Sequence, residues 1–247
     1  MKAPFFRLMV IASLGLSILV ASAARRPDPR ACMARPAVAC PLPFEPNLGQ
    51  VDSDAVFVAR SRGLMLSVER DGSRLALPGL QTPVRISWVG GLAASHFTPG
   101  KRLPGVSHYY AAPDGRPVAE GVPHYDSVVA HGVYPGVDLV YYGNQRNLEY
   151  DFRLAAGVDP DIIRLRIEGA RRVAIDGRLR IGGESAELIQ RAPIAYQPDE
   201  AGRRRPVEAC FEIIGSPEAK NVIVAFDVAD FDRSLPLVID PILDYST

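Results

Sequence analysis

The run from Gly132 to Leu154 constrains the fold of this chain more than any other stretch. It reads as a strand, a turn at Gly143-Asn144, and a second strand of clean two-residue alternation. In the second strand Leu148, Tyr150, Phe152 and Leu154 point one way, and Glu149, Asp151 and Arg153 point the other. A period of two places alternate side chains on opposite faces of a sheet. The pattern therefore predicts an antiparallel sheet with one face on a core and the other, carrying the charges, in water.

The same alternation recurs on both sides of this run. Val84, Ile86 and Trp88 alternate with Arg85 and Ser87, and Ile163, Leu165 and Ile167 alternate with Arg164, Arg166 and Glu168. Val222, Val224, Phe226 and Val228 form another long strand, followed by Leu237-Val238-Ile239. Ala174-Ile175-Asp176-Gly177 runs a strand into an Asp-Gly hairpin turn. No window shows a sustained helical period. The one helical turn expected is Asp159-Pro160-Asp161-Ile162, where Asp159 caps and Pro160 takes the first helical position. With 22 Pro and 21 Gly separating short strands, the predicted class is all-β, a large antiparallel sandwich rather than a closed barrel. Gly90 to Pro123 is the poorest in pattern. It is expected to be a long central crossover between sheets, with a lobe seam near 100–123 as the alternative.

The N-terminus addresses the compartment. Lys2 and Arg7 precede an apolar run from Leu8 to Val20, and Ala21-Ser22-Ala23 fits a signal-peptidase site. The run is short for a bilayer span, which takes roughly 20 residues. The expected organisation is a signal peptide at 1–23, a Pro/Ala/Arg-rich flexible leader at 24–43 and one domain at 44–247. The protein would then be exported, to the periplasm, the cell surface or the medium, without a transmembrane anchor. Lys+Arg and Asp+Glu are equal at 28 each, so the electrostatic footprint of a nucleic-acid binder is missing. Arg203-Arg204-Arg205, between Gly202 and Pro206, reads as a solvated hairpin turn. Cys32, Cys40 and Cys210 make an odd number. A local Cys32–Cys40 bridge is the first expectation, and a staple from the leader to the strand at Cys210 is the second.

Seven motifs in order carry a family resemblance. They begin with Phe44-Glu45-Pro46-Asn47-Leu48-Gly49-Gln50, then Val56 to Arg60 with Gly63-Leu64-Met65-Leu66. The central piece is Tyr134-Pro135-Gly136-Val137-Asp138 through Gly143, then Leu148 to Phe152. Gly157-Val158-Asp159-Pro160, Arg191-Ala192-Pro193 with Tyr196-Gln197, and Pro236 to Pro241 complete the set. In this order the chain resembles the N-terminal domain of secreted bacterial SBBP-repeat proteins, a domain of unknown function that usually precedes predicted β-propeller repeats. The resemblance runs from about Phe44 to Thr247. It implies an exported module, here expected as a free-standing copy, and it brings no catalytic residues with it. The segment before Gly121 usually holds a tryptophan in that family, whereas here it reads Arg116 to Glu120.

Candidate chemistry has to come from the chain's own residues. Glu149 and Asp151 lie two apart on one strand and hence on one face. The plain reading pairs them with Arg153, Arg164 or Arg166 across strands. The functional readings are a calcium or ligand site, or the acid and base of a glycoside hydrolase. Asp138 follows a Tyr-Pro-Gly turn and is expected to tie it down by accepting backbone N–H groups. Asp240 invites the same reading at the end of a strand. His96, His108, His124 and His131 form no metalloenzyme spacing, and no nucleophile elbow is present. Tyr109, Tyr110, Tyr125, Tyr134, Tyr141, Tyr142, Tyr150 and Tyr196 are numerous for one sandwich. Where they share an exposed face they would make a platform for a sugar or a protein; Tyr150 reads instead as core.

The sequence therefore points to an exported, non-enzymatic structural or binding module. Glu149, Asp151, Asp138, Tyr142, Tyr109 and Tyr110 are its candidate binding residues, no cofactor is required, and calcium is a candidate ligand. The expected partner is a protein, for example a separately encoded propeller, or a surface glycan. The alternative is a carbohydrate-active hydrolase on the Glu149/Asp151 face.

Overall fold

Strands form where the chain alternates, and glycine and proline mark most of their ends. The computed structural model describes residues 42–247, apart from 52, 62, 112–116, 145–146, 184, 200–201, 218–219 and 247. The signal segment, the leader before Leu42, and Cys32 and Cys40 lie outside the described residues.

The first five strands are β1 (Phe44–Pro46), β2 (Phe57–Ser61), β3 (Leu64–Val68), β4 (Gly72–Ala76) and β5 (Val84–Trp88). Then come β6 (Phe97–Pro99), β7 (Arg102–Tyr110), β8 (Pro117–Tyr125), β9 (Ser127–Tyr134), β10 (Val137–Asn144) and β11 (Asn147–Leu154). A single 3₁₀ turn, Pro160–Ile162, is capped by Asp159, whose side chain accepts from the Asp161 N–H, as its sequence predicts. It leads into β12 (Arg164–Glu168), β13 (Arg172–Ile175), β14 (Leu179–Gly182), β15 (Glu187–Gln190) and β16 (Ile194–Pro198). The last five are β17 (Arg204–Val207), β18 (Ala209–Ile214), β19 (Val222–Val228), β20 (Leu237–Asp240) and β21 (Ile242–Ser246).

They build two antiparallel sheets. The first runs β18-β19-β12-β5-β4-β3-β2-β1-β8-β7. The second runs β13-β14-β15-β21-β11-β10-β9-β6, with β20 joining β11 to β16 and β17 beyond it. The inward faces share one core in which Phe44, Leu66, Leu139, Phe152, Leu165 and Phe226 are almost wholly buried. Phe152 of the second sheet meets Phe226 of the first at 5.7 Å between ring centroids, a favourable edge-to-face aromatic contact. Tyr134 of β9 ties the sheets together through Arg164 of β12. Its hydroxyl donates to the Arg164 carbonyl at 2.8 Å and accepts the Arg164 N–H at 3.1 Å. Burial pushes that phenol up to about 12. The architecture is thus the all-β sandwich the alternation predicts.

Two expectations need correction. The poorly patterned stretch after Gly90 does pass between the sheets, but it carries β6, β7 and β8 rather than irregular chain. β6 and β7 lie at sheet edges, with β8 next to β7, and there one face or both stay wet and alternation weakens. The hairpin turn also falls later than Gly143-Asn144. β10 continues through Gly143 to Asn144, which pairs with Asn147. Gly143 is required for a different reason: a Cβ there would stand 2.4 Å from the Cβ of Leu42.

Candidate functional site

The outer face of the second sheet gathers most of the candidate residues. Residues opposite one another in an antiparallel pair share a face. Tyr142 is opposite Glu149, Val140 opposite Asp151 and Asp138 opposite Arg153. Arg153 is in turn opposite Val238, Tyr196 opposite Val238, Ile194 opposite Asp240 and Arg204 opposite Pro198. Tyr142, Glu149, Asp151, Asp138, Asp240, Tyr196 and Arg204 therefore stand on one surface. Tyr109 and Tyr110 do not join them, because β7 is an edge of the other sheet. The predicted site is split between two sheets.

This face is not the wet one its alternation predicts. Glu149 is 7%, Asp151 5% and Asp240 9% exposed. β11 is a central strand, flanked on this face by Tyr142 and Val140 of β10 and by Val238 of β20. Of the expected arginines only Arg153 reaches an acid of the cluster. Arg164 and Arg166 belong to β12, in the first sheet. Arg153 approaches Asp151 only to 3.9 Å, and Arg204 stacks over the Tyr196 ring at 4.3 Å.

Hydrogen bonding in the cluster is correspondingly thin. Tyr142 donates its hydroxyl to Asp151 Oδ1 at 2.8 Å. Asp240 was expected to bond back to the chain, yet its buried Oδ1 has no partner. It sits beside Pro241, at the junction of β20 and β21, whose pairing with β11 keeps one register across the break. Burial, then the charges of Asp151 and Glu149, push the Asp240 carboxyl up to about 6. Asp151 is raised mainly by burial, against the lowering effects of the Tyr142 hydrogen bond and Arg153. Burial and the Asp151 charge drive the Tyr142 phenol upward too. Asp151 and Asp240, crowded away from water with few donors, are costly to ionise together. No three histidine, cysteine or acidic side chains converge as a metal site among the described residues.

Asp138 behaves as its sequence predicts. Its Oδ1 accepts the Gly132 N–H at 2.9 Å, and its Oδ2 meets His131 Nδ1 at 2.9 Å. The other ring nitrogen of His131 lies 3.1 Å from Thr98 Oγ1, and the ring stacks on His96 at 4.3 Å. These contacts tie the three-residue edge strand β6 to the β9–β10 connection. The sequence held no sign of them, because Thr98, His131 and Asp138 have no motif spacing.

On the first sheet, Ser107, His124 and Glu45 also place a hydroxyl, an imidazole and a carboxylate together. The geometry is not that of a nucleophile relay. Ser107 Oγ at 2.7 Å and Glu45 Oε1 at 3.2 Å both face His124 Nε2, and the Ser107 hydroxyl donates to Glu45 itself. A relay needs the acid on one ring nitrogen and the hydroxyl on the other. Tyr109 and Arg60 reach the second Glu45 oxygen, so Tyr109 serves a buried carboxylate rather than an open platform.

The remaining features are simpler. Tyr150 is core, donating to Gln190 Oε1 at 2.8 Å, beside an internal cavity of about 20 Å³, room for one water. Cys210 is a free, exposed thiol in β18, and its expected partners in the leader, Cys32 and Cys40, lie outside the described residues. Its neighbour Asp227 lies at 3.9 Å, and burial, then this negative charge, hold the thiol above its usual range. Arg203 pairs with Asp199 across the β16–β17 turn at 2.7 Å, as a solvated hairpin should.

No curated protein and no solved structure matches this chain. Over residues 44–242, nearly the whole of the sandwich just described, it belongs to the family described as a domain of unknown function, DUF7948.

Proposed function

We propose that this chain is an exported, non-enzymatic structural or binding module that acts at the cell envelope or outside the cell. One observation carries the reading: a buried carboxylate with an unpartnered oxygen, Asp240, lies with two further buried acids beside aromatic and apolar side chains on the outer face of the second sheet. A polar group buried without partners costs stability. A binding role explains why such a group is retained, since a ligand supplies the missing donors. The signal-like start, Lys2 to Ala23, supports export. The resemblance to the module preceding SBBP repeats makes a separately encoded propeller one candidate partner, with a surface glycan the other.

A second reading has one observation in its favour. A carboxyl raised to about 6 beside another acid, as Asp240 is beside Asp151, matches the division between acid and base in glycoside hydrolysis. Under that reading Glu149, with Asp151 or Asp138, does the chemistry.

The test is to immobilise the mature protein by its C-terminus and expose it to envelope and secreted fractions of the source cell, with and without calcium. Enrichment of one protein or glycan, lost on competition with free module, is the expected result. A folded protein that enriches nothing removes the binding reading. Turnover in a glycoside screen that disappears in Glu149→Gln would establish the hydrolase in its place.

A further inference from the structure

We propose that the Glu149–Asp151–Asp240 face takes an arginine side chain from a protein partner. This rests on the binding-module reading and names the chemistry of its site. The acidic cluster alone would not carry it. The second observation is the Asp240 carboxylate, nine-tenths buried among these acids with Oδ1 unpartnered.

Charge and shape both select the guest. Three carboxylates face two guanidinium groups, and neither of these closes on Asp240: Arg153 stands 3.9 Å from Asp151, and Arg204 is stacked on Tyr196. One further cation balances the face. A metal ion needs several oxygens converging on one point, and no such convergence exists among the described residues. A guanidinium suits acceptors that are spread out, because its planar fork sends five N–H groups to separate oxygens. Beside Asp240, on the adjoining strand, Ile194 is 51% exposed. An aliphatic stem packs there while the charged head turns toward the acids. Both features belong to a protein side chain, whereas a glycan offers neither cation nor stem. Arg204 is the side chain that must swing aside, exchanging its place over Tyr196 with the incoming group.

The test is a carboxyl-carbon NMR titration of the mature protein with N-acetyl-arginine amide. N-acetyl-lysine amide, the uncharged N-acetyl-citrulline amide and calcium are the comparison ligands. Saturable shifts at Asp240 and Asp151 with arginine in the low-millimolar range are expected, weaker with lysine and missing with citrulline. Saturation should lower the Asp240 titration midpoint by roughly one unit, because an opposite charge nearby favours the ionised form. Asp240→Asn and Glu149→Gln should each weaken arginine binding about tenfold, one such contact being of that order.

Equal response to citrulline, no response to arginine, or response to calcium alone would each overturn the proposal. So would shifts in the untitrated protein that vanish when Arg25, Arg26, Arg30 and Arg35 become Gln, since the guest would then be the chain itself. Envelope capture that survives Asp240→Asn and Glu149→Gln would leave the binding module standing and this inference lost. Absence of any capture would remove the broader reading, and the titration would still decide the arginine site.

Discussion

Glu45 on the first sheet and Asp240 on the second are buried alike, at 6% and 9% exposure, but their surroundings differ. Both Glu45 oxygens are engaged, by Ser107, His124, Tyr109 and Arg60. Asp240 has a buried Oδ1 without a partner, and the charges that act on it most strongly are the acids Asp151 and Glu149. A carboxylate surrounded by donors is a structural tie between strands, here joining β1, β2, β7 and β8. One surrounded by acids strains the fold unless something else arrives. Burial of a charge therefore says little about its role until its partners are counted.

The comparison breaks most visibly if Glu45 is removed. Glu45→Ala should cost about 2–4 kcal/mol, since buried donors and Arg60 lose their acceptor. Thermal denaturation would show it as a fall of roughly 2–4 °C per kcal/mol for a domain of this size. A loss within experimental scatter would mean the first-sheet network is not a structural tie.

Asp240→Asn should act the other way, stabilising by about 1–2 kcal/mol at pH 7.5 by removing a poorly solvated charge. Its sign with pH follows from the raised carboxyl, about 6 folded against 3.8 for the ordinary group. Between those values the folded protein keeps a proton that the unfolded chain has released. Wild-type stability should therefore fall as pH rises through that window. The advantage of the variant should fade as pH drops toward 4. A pH-independent difference would contradict the assignment.

Tyr142→Phe should be milder, costing about 0.5–1.5 kcal/mol for the lost hydrogen bond. It should also move the Asp151 titration further up, as followed by carboxyl NMR, because that hydroxyl stabilises the ionised form. Cys210→Ser should change stability by no more than about 0.5 kcal/mol, being exposed and unpaired. The wild-type thiol should alkylate slowly at pH 7 and faster as pH rises, given its upward shift.

Local pattern made much of this legible. The alternation from Leu148 to Leu154 foretold β11 and its core face, Asp159-Pro160 foretold the capped turn, and Asp176-Gly177 foretold the β13–β14 hairpin. The Gly132 N–H was the right kind of partner for Asp138. The water-facing side of β11 was misread because alternation separates two faces without saying what covers either. Edge strands such as β6 and β7 escaped because little of their surface is buried.

By itself the sequence determined the strand class, the two-residue period and the glycine and proline positions that end the strands, all set by neighbours a few residues apart. Only the tertiary structure decided that β20 and β21 lie against β11, which brings Asp240 to Glu149 and Asp151 across some 90 positions of chain. It likewise sent Tyr109 to the opposite sheet and gave Glu45 its donors. The physical reason is that alternation is a property of one strand, whereas the choice of adjoining strand depends on the whole core that two sheets must close together.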